Sequence, residues 1–174
     1  MILVTGNLNK LKEFEYILNS KLENVDLNLE EIQSLDVSEV ALDKAFKAYQ
    51  ILKKPVIAED TGLYFEELNG LPGAFIKFFV KSLSLEQICG LIKENRKAKA
   101  VTAIAFYDGK EMKLVKGETK GLIALSPKGN NGFGWDAIFI PQGYEKTFAE
   151  LTSEEKQSKF MRSEAIKKLK TIIF

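Results

Sequence analysis

Pro55-Val56-Ile57-Ala58-Glu59-Asp60-Thr61-Gly62-Leu63 decides the reading of this chain. Val56 to Ala58 is a short apolar run bounded by a proline and by polar residues, the pattern of a buried strand. It runs directly into two carboxylates, a hydroxyl and a glycine. In open α/β sheets, ligands bind just beyond the carboxyl ends of strands. Successive strand residues face opposite ways, so Glu59 and Asp60 share one ligand only if the strand has ended by then. On that basis Asp60 is the candidate reactive acid and Glu59 its neighbour. Asp-Thr-Gly is equally good turn chemistry, and the stretch alone does not choose between the two.

Outward from this stretch, the flanking segments read as alternating strands and helices. Upstream, Met1–Val4 reads as a buried first strand, followed by a Thr5-Gly6-Asn7 turn. Leu8, Leu11, Phe14 and Leu18 then recur with a helical period. Gly6 admits close approach of a ligand to the backbone, and the helix start presents free N–H groups suited to phosphate. Lys10 adds a point charge one turn in. A plain Asn7 cap beside a solvated lysine is the competing reading. Val25–Leu29 alternates and is predicted as the second strand, with Glu30 and Glu31 after it. Either glutamate can join Asp60 at magnesium, which prefers carboxylate and phosphate oxygens, or lie on a solvated surface. Val37, Ala41, Ala45, Ala48 and Leu52 mark a second helix that Pro55 stops, with Lys44 beside its small-residue face.

Downstream, Leu68–Gly73 is a dense loop signal. Ala74–Val80 is an apolar run broken only by Lys77, which either snorkels from a core or reaches a ligand. Leu85, Ile88, Leu91 and Ile92 suggest a short helix, with Lys93, Arg96, Lys97 and Lys99 as its solvated end. Ala100–Tyr107 reads as a long strand, Asp108-Gly109 as a hairpin turn, Met112–Val115 as the return and Gly117–Ala124 as a further strand. Asn130–Asp136 sets two glycines around Phe133, then the single tryptophan, Trp135, then an acid opening a strand at Ala137–Ile140. An exposed aromatic there can stack on a base, and Asp136 can accept hydrogen bonds from ring N–H groups. An aromatic loop packed on the core is the alternative. Thr152–Lys156 carries a capping box. Met161, Ala165, Leu169 and Ile172 mark a terminal helix. Lys156 and Arg162 converge only if the helix breaks between them, with Ser158 a plausible cap.

Composition narrows the chemistry. The 174 residues suit one domain, 1–174. With 25 basic against 24 acidic residues, the +1 charge argues against nucleic acid or a membrane surface as partner. No apolar run approaches the ~20 residues of a membrane span, and Met1–Val4 is too short for a signal peptide. The lone cysteine, Cys89, leaves no internal disulfide or cysteine metal cluster, which fits a reducing, cytoplasmic setting. There is no histidine. Serine–histidine triads and histidine zinc sites are therefore excluded, leaving carboxylate, lysine, tyrosine or metal-bound water for proton transfer. Strands alternating with helices, then antiparallel ribbon, predict an α/β fold: a mixed sheet with flanking helices and a cleft between two lobes.

These stretches together resemble the inosine triphosphate pyrophosphatase family, which removes aberrant purine nucleotides. Thr5-Gly6-Asn7 with Lys10 matches its opening motif. Glu59–Leu63 and Gly70-Leu71-Pro72-Gly73 match its central one. Phe133-Gly134-Trp135-Asp136, Thr147-Phe148-Ala149-Glu150 and Glu155-Lys156 match its third part. The ordered set spans nearly the whole chain. The resemblance implies an elongated mixed sheet with two lobes about a central cleft, usually as a homodimer. It also implies hydrolysis of a purine nucleoside triphosphate to monophosphate and pyrophosphate with magnesium. It assigns Thr5, Gly6, Asn7 and Lys10 to the phosphates, Glu31 ahead of Glu30 to the metal, and Asp60 to catalysis and metal. Thr61, Lys44, Lys77 and Lys156 become substrate contacts, and Phe133, Gly134, Trp135 and Asp136 the base site. Where the family carries serine-histidine-arginine, this chain has Phe160, Met161 and Arg162, so only the base-reading arginine remains. Two rivals stay open: a septum-related pyrophosphatase for modified pyrimidines, against which Phe-Gly-Trp-Asp speaks, and a nucleotide-binding module without turnover.

Overall fold

The structure, a computed structural model, describes residues 1–173, apart from the side chains of Ser153, Gln157 and Ser158. Its centre is β3 (Val56–Phe65). Val56, Ile57 and Ala58 are wholly buried, as a continuous apolar run in a sheet covered on both faces requires. The seven strands run β2 (Glu23–Val25), β1 (Ile2–Val4), β3, β5 (Lys97–Tyr107), β6 (Met112–Ile123) and β7 (Phe139–Pro141), while β4 (Pro72–Gly73) pairs with β3. β1 is parallel to both its neighbours, and every other pairing is antiparallel. The mixed sheet with flanking helices is as the sequence predicts.

The period-2 pattern sorts side chains between the faces. Ile2, Val4, Val56 and Ala58 meet α2 (Val37–Leu52), whose Ala41, Ala45 and Ala48 let it lie close to the sheet. Leu3 and Ile57 face the other way, against Phe14 and Leu18 of α1 (Leu8–Leu18) and Ala165, Ile166 and Leu169 of α6 (Met161–Ile173). A third core at the far end joins α3 (Ile76–Ser82) and α4 (Leu85–Leu91) to an aromatic cluster. There Phe148 lies 5.1 Å from Phe139 and 4.8 Å from Phe160, ring centre to ring centre. Among the described residues no helix is long and apolar enough to cross a membrane.

Several expectations need correction. The second strand is Glu23–Val25, and Asp26 to Leu35 are irregular, because nothing pairs with the outer edge of β2. Glu31 therefore sits on a loop. Met112 to Ile123 is one strand rather than two, since β5 is long enough to pair with it throughout. Asp136 to Ile138 form a 3-10 turn, and strand begins only at Phe139. Arg96 is no solvated helix end: its guanidinium donates to the carbonyls of Cys89, Ile92, Ile123 and Ala124, and Lys97 and Lys99 lie within β5. The break between α5 (Ser153–Lys159) and α6 falls at Phe160, drawn into the aromatic cluster. The proposed cap, the Ser158 side chain, lies outside the described residues. Most consequentially, β3 does not end at Asp60 but runs on to Phe65, because β5 pairs with all of it.

Candidate active site

β1 stops at Val4, opposite Ala58, and β4 begins to pair only at Leu63. The edge of β3 facing them is thus unpaired from Glu59 to Gly62, and the site is built around this gap. It coincides with the carboxyl end of the parallel part of the sheet, where a ligand site belongs. Glu59 and Asp60 fall on opposite faces of a continuing strand, so each meets its own set of partners.

On one face Glu59 is a buried hub. Its Oε1 accepts from Arg162 Nε at 3.0 Å and Thr61 Oγ1 at 3.0 Å, and lies 3.2 Å from Lys10 Nζ. Arg162 Nη1 also reaches Glu13 Oε2, at 3.3 Å. Burial alone would raise the Glu59 pKa, but Arg162 and Lys10 together outweigh it and hold it down to about 2. Burial likewise opposes charge on Arg162, and the two glutamates more than restore it. Glu13 moves the opposite way: burial, with Glu59 adding, lifts it above the usual carboxylate range despite Arg162.

On the other face Asp60 has a buried Oδ2 with no hydrogen-bond partner among the described residues. Burial pushes its pKa up to about 6, against the pull of Lys44 and Lys10. Asp60 lines a cavity of about 310 Å³ together with Lys10, Glu31, Lys44, Lys77 and Arg162. Glu31 is held by two lysines: Lys44 Nζ at 3.2 Å, and Lys77 in direct contact. Lys44 also donates to the Glu59 carbonyl, at 3.3 Å, closing part of the unpaired edge.

The start of α1 borders the same region. The Asn7 side chain caps the helix by accepting from the N–H groups of Asn9 and Lys10, and Thr5 Oγ1 accepts from Asn7 N at 3.1 Å. Thr5, Gly6, Lys10 and Glu31 line an adjoining cavity of about 190 Å³. A Cβ at position 6 would meet only the Asp26 carboxylate, the end of a flexible side chain.

A third cavity, about 400 Å³, is lined by Lys10, Glu13, Phe133, Asp136, Lys156 and Arg162 among others. The helix break at Phe160 lets Lys156 and Arg162 converge on it. Phe133 is 49% exposed and free to stack, whereas Trp135 turns its ring edge-on to Phe139 at 5.7 Å. Asp136 Oδ2 is engaged by Lys156 Nζ at 3.1 Å and Phe133 N at 3.4 Å. Gly134 has φ +61° and nothing near its missing side chain, so backbone conformation demands the glycine. The Thr147–Glu150 turn anchors this loop: Thr147 Oγ1 donates to Lys128 O at 2.7 Å, and Asn131 N to Ala149 O at 2.9 Å.

The predicted site residues line three adjoining cavities, except Asn7, whose side chain caps α1 and lines none of them. Glu13 joins them, and behind them Thr102 touches Thr61; pattern reading passed over both. Glu13 lies three residues after Lys10 on one helix face, a spacing that pairs side chains. Thr102 is a lone hydroxyl in a buried apolar strand.

With this geometry in view, comparison with known proteins is decisive. The Ham1 family matches residues 1–172. The chain belongs to the Ham1 family. It is 40% identical to the inosine triphosphate pyrophosphatase of Saccharomyces cerevisiae, over all of this chain and 95% of that protein. It is 38% identical to the dITP/XTP pyrophosphatase of Methanopyrus kandleri, over 97% of this chain and 93% of that one. The Ham1 proteins of Staphylococcus aureus and Coxiella burnetii superpose with TM-scores of 0.86 and 0.89 at 29% and 27% identity, each alignment covering 99% of this chain and 96% of the other.

Proposed function

We infer that this Ham1 protein hydrolyses non-standard purine nucleoside triphosphates, the inosine and xanthosine forms, to monophosphate and pyrophosphate. The observation that carries the reading is the Asp60 face. A buried carboxylate with one unsatisfied oxygen shares a cavity with Glu31 and with Lys10, Lys44 and Lys77. Phosphoryl-group chemistry rests on positioning and charge neutralisation rather than on covalent catalysis, so the absence of histidine is no obstacle.

The residues present suit magnesium. It binds through one or two carboxylates and completes its shell with phosphate and water. Asp60 and Glu31 would hold it, and Asp60 Oδ2 is an orphaned acceptor that such an ion satisfies. When bound, it neutralises developing phosphate charge and lowers the pKa of coordinated water. Thr5, Gly6, Asn7 and Lys10 bind the phosphates beside the start of α1. Lys44 and Lys77 turn from Glu31 to the phosphate oxygens as the triphosphate enters. The ionised Asp60 orients the attacking water and accepts its proton. Phe133, Gly134, Trp135 and Asp136 enclose the base, with Phe133 stacking. Lys156 and Arg162 close that pocket, and Thr61 supports its edge. We place the protein in the cytoplasm as a homodimer: the family resemblance supports the pairing, and the single cysteine suits a reducing compartment.

A panel of nucleoside triphosphates with pyrophosphate detection, with and without magnesium, tests the reading. Magnesium-dependent release is expected from the inosine and xanthosine forms, far above adenosine and guanosine triphosphates. Preference for modified pyrimidines, or binding without release, would overturn it.

A further inference from the structure

Strand β5 carries one polar side chain in its buried middle. Ala100, Ala103, Ile104 and Ala105 are wholly buried, and so is Thr102. A buried hydroxyl weakens a strand unless it is hydrogen-bonded, and valine would fill the same space without that penalty. Thr102 lies directly across from Thr61 in the β3–β5 register, with the two hydroxyl oxygens 2.9 Å apart.

The direction of this bond follows from counting protons. Glu59 is a carboxylate held down to about 2 and can only accept. Thr61 therefore spends its single hydroxyl proton on Glu59 Oε1. The proton between the two threonines must then come from Thr102. The result is one directed chain, Thr102 to Thr61 to Glu59. At its end, the same Oε1 receives Arg162 Nε and faces Lys10 Nζ. One buried oxygen thus sets both the lysine assigned to the phosphates and the arginine assigned to the base. Thr102 lines none of the three adjoining cavities around the gap.

We propose that Thr102 is a positioning residue: its buried hydroxyl fixes Thr61 as a donor, which fixes Glu59, which holds Lys10 and Arg162 in place for substrate. This rests on the pyrophosphatase reading above for the identity of the substrate. Asp60 lies on the opposite face of β3 and takes part in none of the chain's side-chain hydrogen bonds, so the effect is expected on binding more than on the chemical step.

The test compares Thr102→Val, which keeps the shape and removes the donor, with Thr102→Ser, which restores it. Loss of one neutral hydrogen bond corresponds to about fivefold. Thr102→Val is expected to raise KM for inosine triphosphate about fivefold, to erode the preference over adenosine triphosphate by a similar factor, and to leave kcat nearly unchanged. Thr102→Ser should return all three to the wild-type values. A purely structural hydroxyl would lower Tm and leave KM and preference alone, which would overturn the proposal. Failure of Thr102→Ser to rescue would do the same. Should the valine variant not fold, Thr102→Cys, a weak donor of similar size, takes its place with the same expected direction. A ligand-free readout separates the two readings. The Arg162 Nε–H resonance, assigned by its loss in Arg162→Lys, should shift in Thr102→Val and return in Thr102→Ser. An unmoved resonance overturns the positioning chain whatever the substrate is, whereas a wild-type protein inactive on inosine triphosphate overturns the function alone.

Discussion

Arg162 Nε lies 3.0 Å from Glu59 Oε1, although 103 residues separate them in the chain. The contact ties the start of the last helix to the strand at the centre of the sheet. It is possible because β1 stops one residue short of Glu59, leaving that edge of β3 open, and because the final helix breaks at Phe160. The same break brings Arg162 beside Glu13, so the guanidinium is held between two carboxylates. A fork held at both ends offers a fixed donor geometry to a ligand, and rigidity of this kind is what base discrimination needs.

Arg162→Ala should therefore do two things at once. Removing one partner from a buried ion pair costs about 3–5 kcal/mol, so the melting temperature should fall clearly. Loss of a charged hydrogen bond, about 1.5–3 kcal/mol, should erode the preference for inosine over adenosine triphosphate by roughly tenfold to a hundredfold. Arg162→Lys keeps the charge without the fork, and should lose the discrimination while retaining most of the stability. The ratio of kcat/KM values for the two substrates, measured beside thermal melts, checks both. An unchanged ratio in a folded Arg162→Lys would show that Arg162 does not read the base.

The two neighbouring acids carry opposite stability signs. Glu59, lowered from 4.5 to about 2, adds stability at neutral pH that is lost as pH falls through that window. Asp60, raised from 3.8 to about 6, holds its proton longer in the folded than in the unfolded chain. Its charge therefore costs stability as pH rises from about 4 to 6, on the order of 2–3 kcal/mol at ~1.36 per unit. Asp60→Asn should accordingly melt higher than wild type at pH 8, match it near pH 3.5, and lose nearly all turnover. Calorimetry across pH, paired with pyrophosphate release, checks this. A variant less stable than wild type at pH 8 would contradict the cost assigned to the buried charge.

How far this was legible in the sequence depends on the length scale of each interaction. The apolar period of α1 and α2, the Val56–Ala58 strand and the Asp108-Gly109 turn are local patterns, and all are present. The length of β3 was not legible, since Glu-Asp-Thr-Gly carries weak strand preference and extends only because β5 pairs with it. Hence the sequence left open whether Glu59 and Asp60 face opposite ways, and gave no sign of the hub around Glu59. Arg96 looked solvated because its four acceptor carbonyls come from two segments, the end of α4 just before it and Ile123–Ala124 at the end of β6, which only the fold brings together. Phe160 departs from the family's pattern, and its burial against Tyr144 and Phe148 shows what it does here: it packs the aromatic cluster that Trp135 of the Phe133–Asp136 loop also joins.

The acid limb of the pH–rate profile should report Asp60. kcat/KM reflects ionisation in the free enzyme, so it should fall below about pH 6, where Asp60 takes up its proton. Lys44 is the largest influence holding that value down. Lys44→Met should move the limb to higher pH as well as lowering the plateau. A limb that stays in place in Lys44→Met, or one near pH 4 in wild type, would assign the ionisation to another group.

Lys10→Ala should act on binding rather than on selectivity. Lys10 faces the cavities beside the start of α1, and phosphates are common to every nucleotide. Arg162 keeps its own bond to Glu59 when Lys10 is removed. The Michaelis constants for inosine and adenosine triphosphates should therefore rise together, and their ratio should hold within about twofold. Steady-state kinetics on both nucleotides checks this, and a large change in the ratio would place Lys10 at the base instead.

Glu31 occupies two roles that Glu31→Gln should pull apart. Without ligand, its carboxylate is shared by Lys44, 3.2 Å away, and Lys77. Those lysines must release it before they can meet phosphate, and a carboxylate in their midst repels an incoming anion. Loss of the glutamate charge frees both cations. Such half-exposed pairs are worth about 1 kcal/mol, so pyrophosphate should bind the magnesium-free variant about fivefold more tightly than wild type. The same substitution removes one of the two carboxylates available to the ion. The magnesium concentration for half-maximal turnover should therefore rise at least tenfold, about the loss expected when a hard cation forfeits a charged oxygen ligand. Calorimetric titration of pyrophosphate without metal, and a magnesium titration of turnover, give the two numbers. Tighter pyrophosphate binding with an unaltered magnesium requirement would leave Glu31 as a latch for the lysines and assign the ion to other ligands.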